Sequence, residues 1–162
     1  MKLLKTIKFD EVNPEELEKY EFRQTARAIV FDKEGKIALL FVSKKGYHKL
    51  PGGGIEKGES IEDALKRECL EEIGCEIKIT GEIGTIIEHR KAFKINQESF
   101  CYLAKVVGEK GEPAFMDDEI EEGFLALWVS LDEAIKILET DKSDDYQGKF
   151  IKIRDLAFLR EI

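Results

Sequence analysis

Three glutamates close together on one predicted helix, Glu68, Glu71 and Glu72, are the residues of this 162-residue chain whose type and spacing most directly imply chemistry. With Ile61 at zero and 100° added per residue, Ala64 falls at about 300° and Leu65 at about 40°, which defines an inward apolar face. Glu68 follows at about 340° and Glu72 at about 20°, in the middle of that face, with Glu71 beside them at about 280°. The helix begins by pointing apolar groups inward and ends by pointing carboxylates the same way. Like charges at i, i+4 destabilise a helix, and anions near its C-terminal end oppose the macrodipole. One explanation is a solvated helix end that projects past the core; the other is a divalent cation that neutralises the cluster. Oxygen ligands without His or Cys select Mg²⁺ or Mn²⁺ over Zn²⁺. Mg²⁺ keeps several waters and binds carboxylates together with substrate phosphates, so the cluster points to phosphate chemistry.

The elements that must position these glutamates can be read around them. Ser60 is a good N-cap with Asp63 at N3, which starts the helix near Ile61 and carries it to Ile73. Before it, Gly52-Gly53-Gly54 follow Pro51, with Gly58 further on, a run that lets backbone turn tightly and approach a ligand. The loop is neither a P-loop nor a dinucleotide fingerprint, since no Gly-Lys-Ser/Thr and no G-x-G-x-x-G follow. Strands are predicted at Ala26–Phe31, Lys36–Ser43, Glu76–Glu88, Ser99–Val107 and Phe124–Val129. A helix opens at Leu131, with Leu131, Ala134, Ile135 and Leu138 on one face behind a Ser130/Glu133 capping box. A last helix is expected over Lys149–Arg160 and a short one after Asn13-Pro14. Strands dominate with too few βα alternations for a doubly wound sheet, so the class is α+β. Residues 1–20 read as an N-terminal extension packing on a single domain formed by 21–162.

Composition bounds the partners. Hydrophobic residues at 43% and charged residues at 37% describe a globular chain, and no apolar run is long enough to span a bilayer. Three cysteines with no C-x-x-C spacing argue against a disulfide framework or zinc site, and with no signal peptide visible the expectation is a cytoplasmic protein. Net charge −8 weighs against extended nucleic-acid binding and against anionic lipid. Two local basic clusters, Lys44–Lys49 and His89–Lys94, could still attract a small polyanion. From them, Lys49, Arg90 and Lys91, with Arg23, are the expected substrate-binding cations, and Tyr47 and Phe93 are aromatics suited to stacking on a base.

Gly53, five residues, Glu59, seven residues, then Arg67-Glu68-Cys69-Leu70-Glu71-Glu72-Ile73-Gly74-Cys75 resembles the Nudix box, G-x5-E-x7-R-E-U-x-E-E-x-G-U. The likeness extends more weakly from Ala26 to Glu139, through Leu50-Pro51-Gly52-Gly53 and Trp128-Val129-Ser130. Its aliphatic positions are Cys69 and Cys75 here, a departure that bears on packing. The resemblance implies a Nudix fold, an α/β/α sandwich around a mixed sheet. It implies a Mg²⁺-dependent (or Mn²⁺-dependent) hydrolase of phosphoanhydrides in a nucleoside diphosphate linked to another moiety, nucleoside triphosphates first. ADP-ribose, nucleotide sugars and a non-catalytic nucleotide-sensing module are the alternatives. Glu68, Glu71 and Glu72 would hold metal, with the Gly52 carbonyl as a further ligand. Glu68 would be the general base. Glu59 and Arg67 would hold the loop and orient a carboxylate, with Gly53 and Gly74 shaping the backbone. A later acidic residue is expected within Asp117–Glu122, with Glu122 chosen for its position before Trp128. The partner is a small nucleotide-type substrate, with neither membrane nor extended nucleic acid, and a homodimer is compatible with the sequence.

Overall fold

The computed structural model describes all 162 residues. A single eight-stranded mixed sheet runs in the order β1-β6-β7-β2-β3-β4, with β5 paired to β2 and β8 to β3. Its strands are β1 (Leu3–Lys8), β2 (Glu21–Phe31), β3 (Ile37–Val42), β4 (Tyr47–Lys49), β5 (Gly52–Gly54), β6 (Glu76–Arg90), β7 (Ile95–Val107) and β8 (Phe124–Val129). The helices are α1 (Pro14–Leu17), α2 (Ile61–Ile73), α3 (Asp117–Glu121), α4 (Leu131–Thr140) and α5 (Tyr146–Leu159). The β1–β6 and β2–β7 pairs are parallel and the remaining pairs antiparallel.

Both faces of the sheet are covered, which is why the centre of β2 reads as an unbroken buried run from Thr25 to Val30. Ala26, Ala28 and Val30 pack with Leu65, Cys69 and Ile73 of α2. Ile29, one residue out of phase, packs on the other side with Ala134 and Leu138 of α4 and Phe150 and Phe158 of α5. This is the three-layer α+β arrangement expected from the sequence. All three cysteines are free and buried, and no helix is long and apolar enough to cross a membrane.

α2 and β8 begin and end where the sequence placed them. Other boundaries move, each for a local reason. β2 starts at Glu21 rather than Ala26 because its polar first half pairs residue by residue with β7, Glu21 opposite Ile95 and Gln24 opposite Glu98. β7 accordingly starts at Ile95 rather than Ser99. α5 starts at Tyr146 rather than Lys149 because Asp145 caps it, its carboxylate accepting from Gly148 N at 2.8 Å. Within residues 1–20, β1 is an edge strand on β6, and α1 is capped by Asn13, which accepts from Glu16 N at 2.8 Å. The three-residue strands β4 and β5 are too short for a periodicity to reveal. They are nevertheless the pieces that hold the glycine loop on the sheet.

Candidate active site

The N-cap of α2 is Ser60, whose hydroxyl accepts from Asp63 N at 3.1 Å. The C-cap is Gly74 at φ 65°, a left-handed conformation that glycine adopts without strain. Its α-carbon faces the incoming chain at Gly111 and Glu112, where a Cβ would lie 2.5–2.6 Å from their backbone atoms. That close approach lets Gly111 N donate to Gly74 O and Ala114 N to Glu71 O, and so steers the segment leading to α3 across the C-terminal end of α2.

Between α2, β5 and α3 lies a cavity of about 500 Å³ that gathers Glu68, Glu71, Glu72, Gly52, Gly53, Arg67, Arg23, Lys49, Glu119 and Glu122. The two glycines at its floor have specific reasons to be glycine. Gly52 sits at φ +128° with its α-carbon against the Ala26 carbonyl, and a Cβ on Gly53 would lie 2.2 Å from a Glu68 carboxylate oxygen. Arg67 clamps the loop: its Nε and Nη2 donate to the two oxygens of Glu59 at 2.8 and 2.9 Å, Nη2 also to Gly54 O, and Nη1 to Glu68 at 2.8 Å. The same guanidinium lowers the Glu59 carboxyl to about 2.

Glu72 is the deepest of the three helix carboxylates, 1% exposed. One of its oxygens accepts from Gly52 N at 2.8 Å and the other from the Lys49 ammonium at 2.8 Å. Glu68 is pushed up by burial and by the charge of Glu72, partly offset by Arg67. Glu119 is pushed further, to about 7, by burial and then by Glu72, against the pull of the Met116 N–H and of Lys49. Seven carboxylates, Glu56, Glu68, Glu71, Glu72, Asp118, Glu119 and Glu122, thus outnumber the four cations Arg23, Arg27, Lys49 and Arg67 around one cavity, and the anionic donors are all oxygen. Such a set fits a hard divalent cation. As placed, the carboxylates do not converge on one point, since Lys49 and Arg67 draw Glu72 and Glu68 aside.

The raised Glu119 carboxyl makes a pH prediction. Its ordinary value is 4.5, so the folded chain binds this proton more tightly than the unfolded chain does. Glu119 therefore supports the fold below about 4.5, and that support is lost as pH rises toward about 7. Urea unfolding in chelator should show this decline between those two values. Glu119→Gln should show a shallower decline, the raised Glu68 carboxyl keeping the rest, and saturating Mn²⁺ should flatten it; an unchanged slope in the variant would refute the assignment.

Several expected residues are engaged otherwise or lie outside the cavity. Glu122 lines the rim but is paired with Lys45 at 2.9 Å, and Glu119 is the α3 carboxylate beside Glu72. The signal for Glu119 was its N3 position, where its carboxylate accepts from Met116 N at 2.8 Å. The methionine at the cap hid that pattern. The Gly52 carbonyl accepts from the Arg27 guanidinium, and a positive group already on that oxygen opposes its use by a metal. Arg90 is 3% exposed, donating to Glu88 at 3.0 Å beneath α5, and Lys91 reaches back to the Glu11 carbonyl; neither lines the cavity. Both follow from the end of β6, two strands away from β2 in the sheet. Tyr47 is 2% exposed, and Phe93 packs edge-on against Tyr146, so neither offers a free ring to the cavity.

A buried polar network that sequence reasoning missed supports the loop from behind. Asp155 of α5 accepts from Leu50 N at 2.8 Å and from Arg154 Nε at 2.7 Å, and Arg154 approaches Glu88 at 3.6 Å. Arg154, Asp155 and Glu88 are all fully buried. Their signal was an Arg-Asp pair within a helix whose neighbours Ile151, Leu156, Phe158 and Leu159 are core.

With this geometry in view, the comparisons with known proteins are specific. The NUDIX domain family matches residues 21–151. The chain is 26% identical to an RNA pyrophosphohydrolase of Wolbachia pipientis over 86% of this chain and 80% of that protein. It is 32% identical to an ADP-ribose pyrophosphatase of Methanocaldococcus jannaschii over 60% of this chain and 59% of the other. Among solved structures, a NUDIX hydrolase from Nitrosomonas europaea superposes with TM-score 0.62 at 22% identity, covering 83% of this chain and 88% of its own, a likeness of fold.

Proposed function

The chain belongs to the NUDIX domain family and is a Nudix-type pyrophosphohydrolase, a hydrolase of acid anhydrides, and from that premise we propose that it cleaves a phosphoanhydride of nucleoside triphosphates with Mg²⁺ held by Glu68, Glu71 and Glu72. The observation that carries this reading is the gathering of those three carboxylates and Glu119 in one cavity that Arg23, Arg27 and Lys49 also line. When bound, the metal lowers the pKa of water and neutralises phosphate charge. The residues of the chain do the rest. Glu68, held by Arg67 and raised by burial beside Glu72, accepts the proton of the attacking water. Lys49 leaves Glu72 and, with Arg23, holds phosphate oxygens and orients the chain of phosphates. Gly52 and Gly53 let the loop close on the sheet and on α2, since a Cβ at either would run into the Ala26 carbonyl or the Glu68 carboxylate.

The cations that line the cavity favour triphosphates over ADP-ribose, whose diphosphate is flanked by sugars and offers them no third phosphate. The relative named for ADP-ribose and the relative named for RNA make those two compounds the informative comparison. Net charge −8 weighs against RNA. A panel of the four nucleoside triphosphates, ADP-ribose, a nucleotide sugar and a 5′-triphosphorylated RNA oligonucleotide, each with Mg²⁺, tests the reading through kcat/KM. Nucleoside triphosphates should lead the others by roughly tenfold or more. A lead for ADP-ribose or RNA would replace the substrate, and tight nucleotide binding without product would replace the enzyme by a sensing module.

A further inference from the structure

A second cleft lies beside the metal cavity and shares its wall. It measures about 450 Å³ and is continuous with the cavity through Arg23, Gly54, Glu56, Arg67 and Glu68. What it adds is Glu21, Phe22, Gln24 and Ile55. Phe22 is 60% exposed. Phe9 and Phe93 are exposed too, but each packs edge-on against another ring, Phe150 and Tyr146 respectively. Phe22 lines the cleft instead. It sits on the first half of β2, the half whose extension past the apolar run is set by pairing with β7. β5 ends opposite Thr25 and the chain departs after Ile55 N donates to Gln24 O, which leaves the edge of β2 at Phe22 and Arg23 open.

We propose that this cleft is the nucleoside subsite, with the base stacked on the Phe22 ring and the phosphates reaching over Gly54 into the carboxylate cavity. The proposal rests on the nucleotide reading above and names where the nucleotide lies. Three features favour a neutral base and ribose as the occupant. The volume is that of a small-ligand site. Its apolar surface is an aromatic ring, which stacks on the face of any base. The one charged side chain it adds is acidic, Glu21, which offers an acceptor to ribose hydroxyls, while its cations, Arg23 and Arg67, stand on the wall shared with the carboxylate cavity and draw phosphates there. Arg23 spans the junction, its Nη2 within 3.6 Å of where a Gly54 Cβ would stand, and so is placed at the phosphate nearest the ribose. The Gln24 amide, now donating to Glu98 at 3.0 Å, lies on the same face as Phe22 and is the one side-chain amide there that could address a base edge.

The test uses the bis-methylene triphosphate of 2-aminopurine riboside, which cannot be hydrolysed at its bridges, and inorganic bis-methylene triphosphate as its base-less counterpart, both with Mg²⁺. Stacking on Phe22 should quench 2-aminopurine fluorescence in the wild-type protein. Phe22→Ala should abolish the quench and weaken binding of the riboside about tenfold, in line with the usual contribution of base–aromatic stacking. Phe22→Tyr, which keeps the ring, should preserve both. Affinity for the base-less analogue, measured by calorimetry, should stay within about twofold across all three proteins. No quench in the wild type, a quench that survives Phe22→Ala, or an equal loss of base-less binding in that variant would each overturn the proposal. Binding is read without turnover, so a failure of nucleotide hydrolysis in the substrate panel would leave this result standing or falling by itself.

Discussion

Glu72→Gln is expected to lower kcat/KM for the preferred substrate on the order of 10³-fold, about 4 kcal/mol of transition-state stabilisation, while the protein stays folded. The substitution preserves shape. The amide oxygen can still accept from Gly52 N, the 2.8 Å bond that ties α2 to the glycine loop. What disappears is the negative charge, in a position 1% exposed where no water compensates for it. Lys49, 2.8 Å away, is left without its counter-ion, and the carboxylate set that would hold the metal loses its deepest member. Steady-state kinetics on the variant, with its thermal unfolding compared to the wild type, checks this. Activity within tenfold of wild type in a folded variant would remove Glu72 from the metal-holding set. The adjacent Glu71, whose side chain is 28% exposed and approaches Arg67 only at 3.9 Å, should show a smaller effect on stability than Glu72.

Asp155→Ala is expected to cost about 3–5 kcal/mol of folding stability, although the residue lies on α5 and far from Glu72 in sequence. The carboxylate is fully buried between two donors. Removing it leaves the Arg154 guanidinium without its 2.7 Å partner and the Leu50 N–H without an acceptor. Arg154 is already poorly served, with Nη1 and Nη2 lacking hydrogen-bond partners in the protein, so no neighbour stands ready to take up the loss. Asp155→Asn should cost less, since its amide oxygen can still accept from Leu50. Urea denaturation with the slope compared across variants measures both. A cost below about 1 kcal/mol for the alanine variant would mean that the network relaxes or is hydrated, against the burial described here.

The parts of the molecule that sequence reading captured are those in which chemistry is local. Ser60, Ile61, Leu65 and Gly74 specify α2 through a cap, an apolar face and a left-handed terminus, all within one stretch of chain. The turn of the helix then places Glu68 and Glu72 on a shared face without further information. What escaped depends on partners distant in sequence. β2 begins at Glu21 because β7 is there to pair with, and no alternation within Glu21–Gln24 announces it. Arg90 looks like a surface cation until Glu88 and α5 are placed around it. Glu119 lies on α3 and Glu122 just past its end, three residues apart, and only the path from Gly74 through Gly111 decides which one reaches Glu72. Asp155 has no meaning at all until Leu50 lies against it.

The central claim is that the carboxylate cavity cleaves phosphoanhydrides in a metal-dependent reaction, and phosphorus NMR of one reaction tests it most directly. The protein is incubated with a nucleoside triphosphate and Mg²⁺, spectra are recorded over time, and chelator is added partway. The anhydride resonances of the triphosphate should fade as phosphate or pyrophosphate appears, the change should halt on chelation, and it should resume when Mg²⁺ is restored. A triphosphate spectrum that stays unchanged over hours with Mg²⁺, or one that decays at the same rate after chelation, would contradict it.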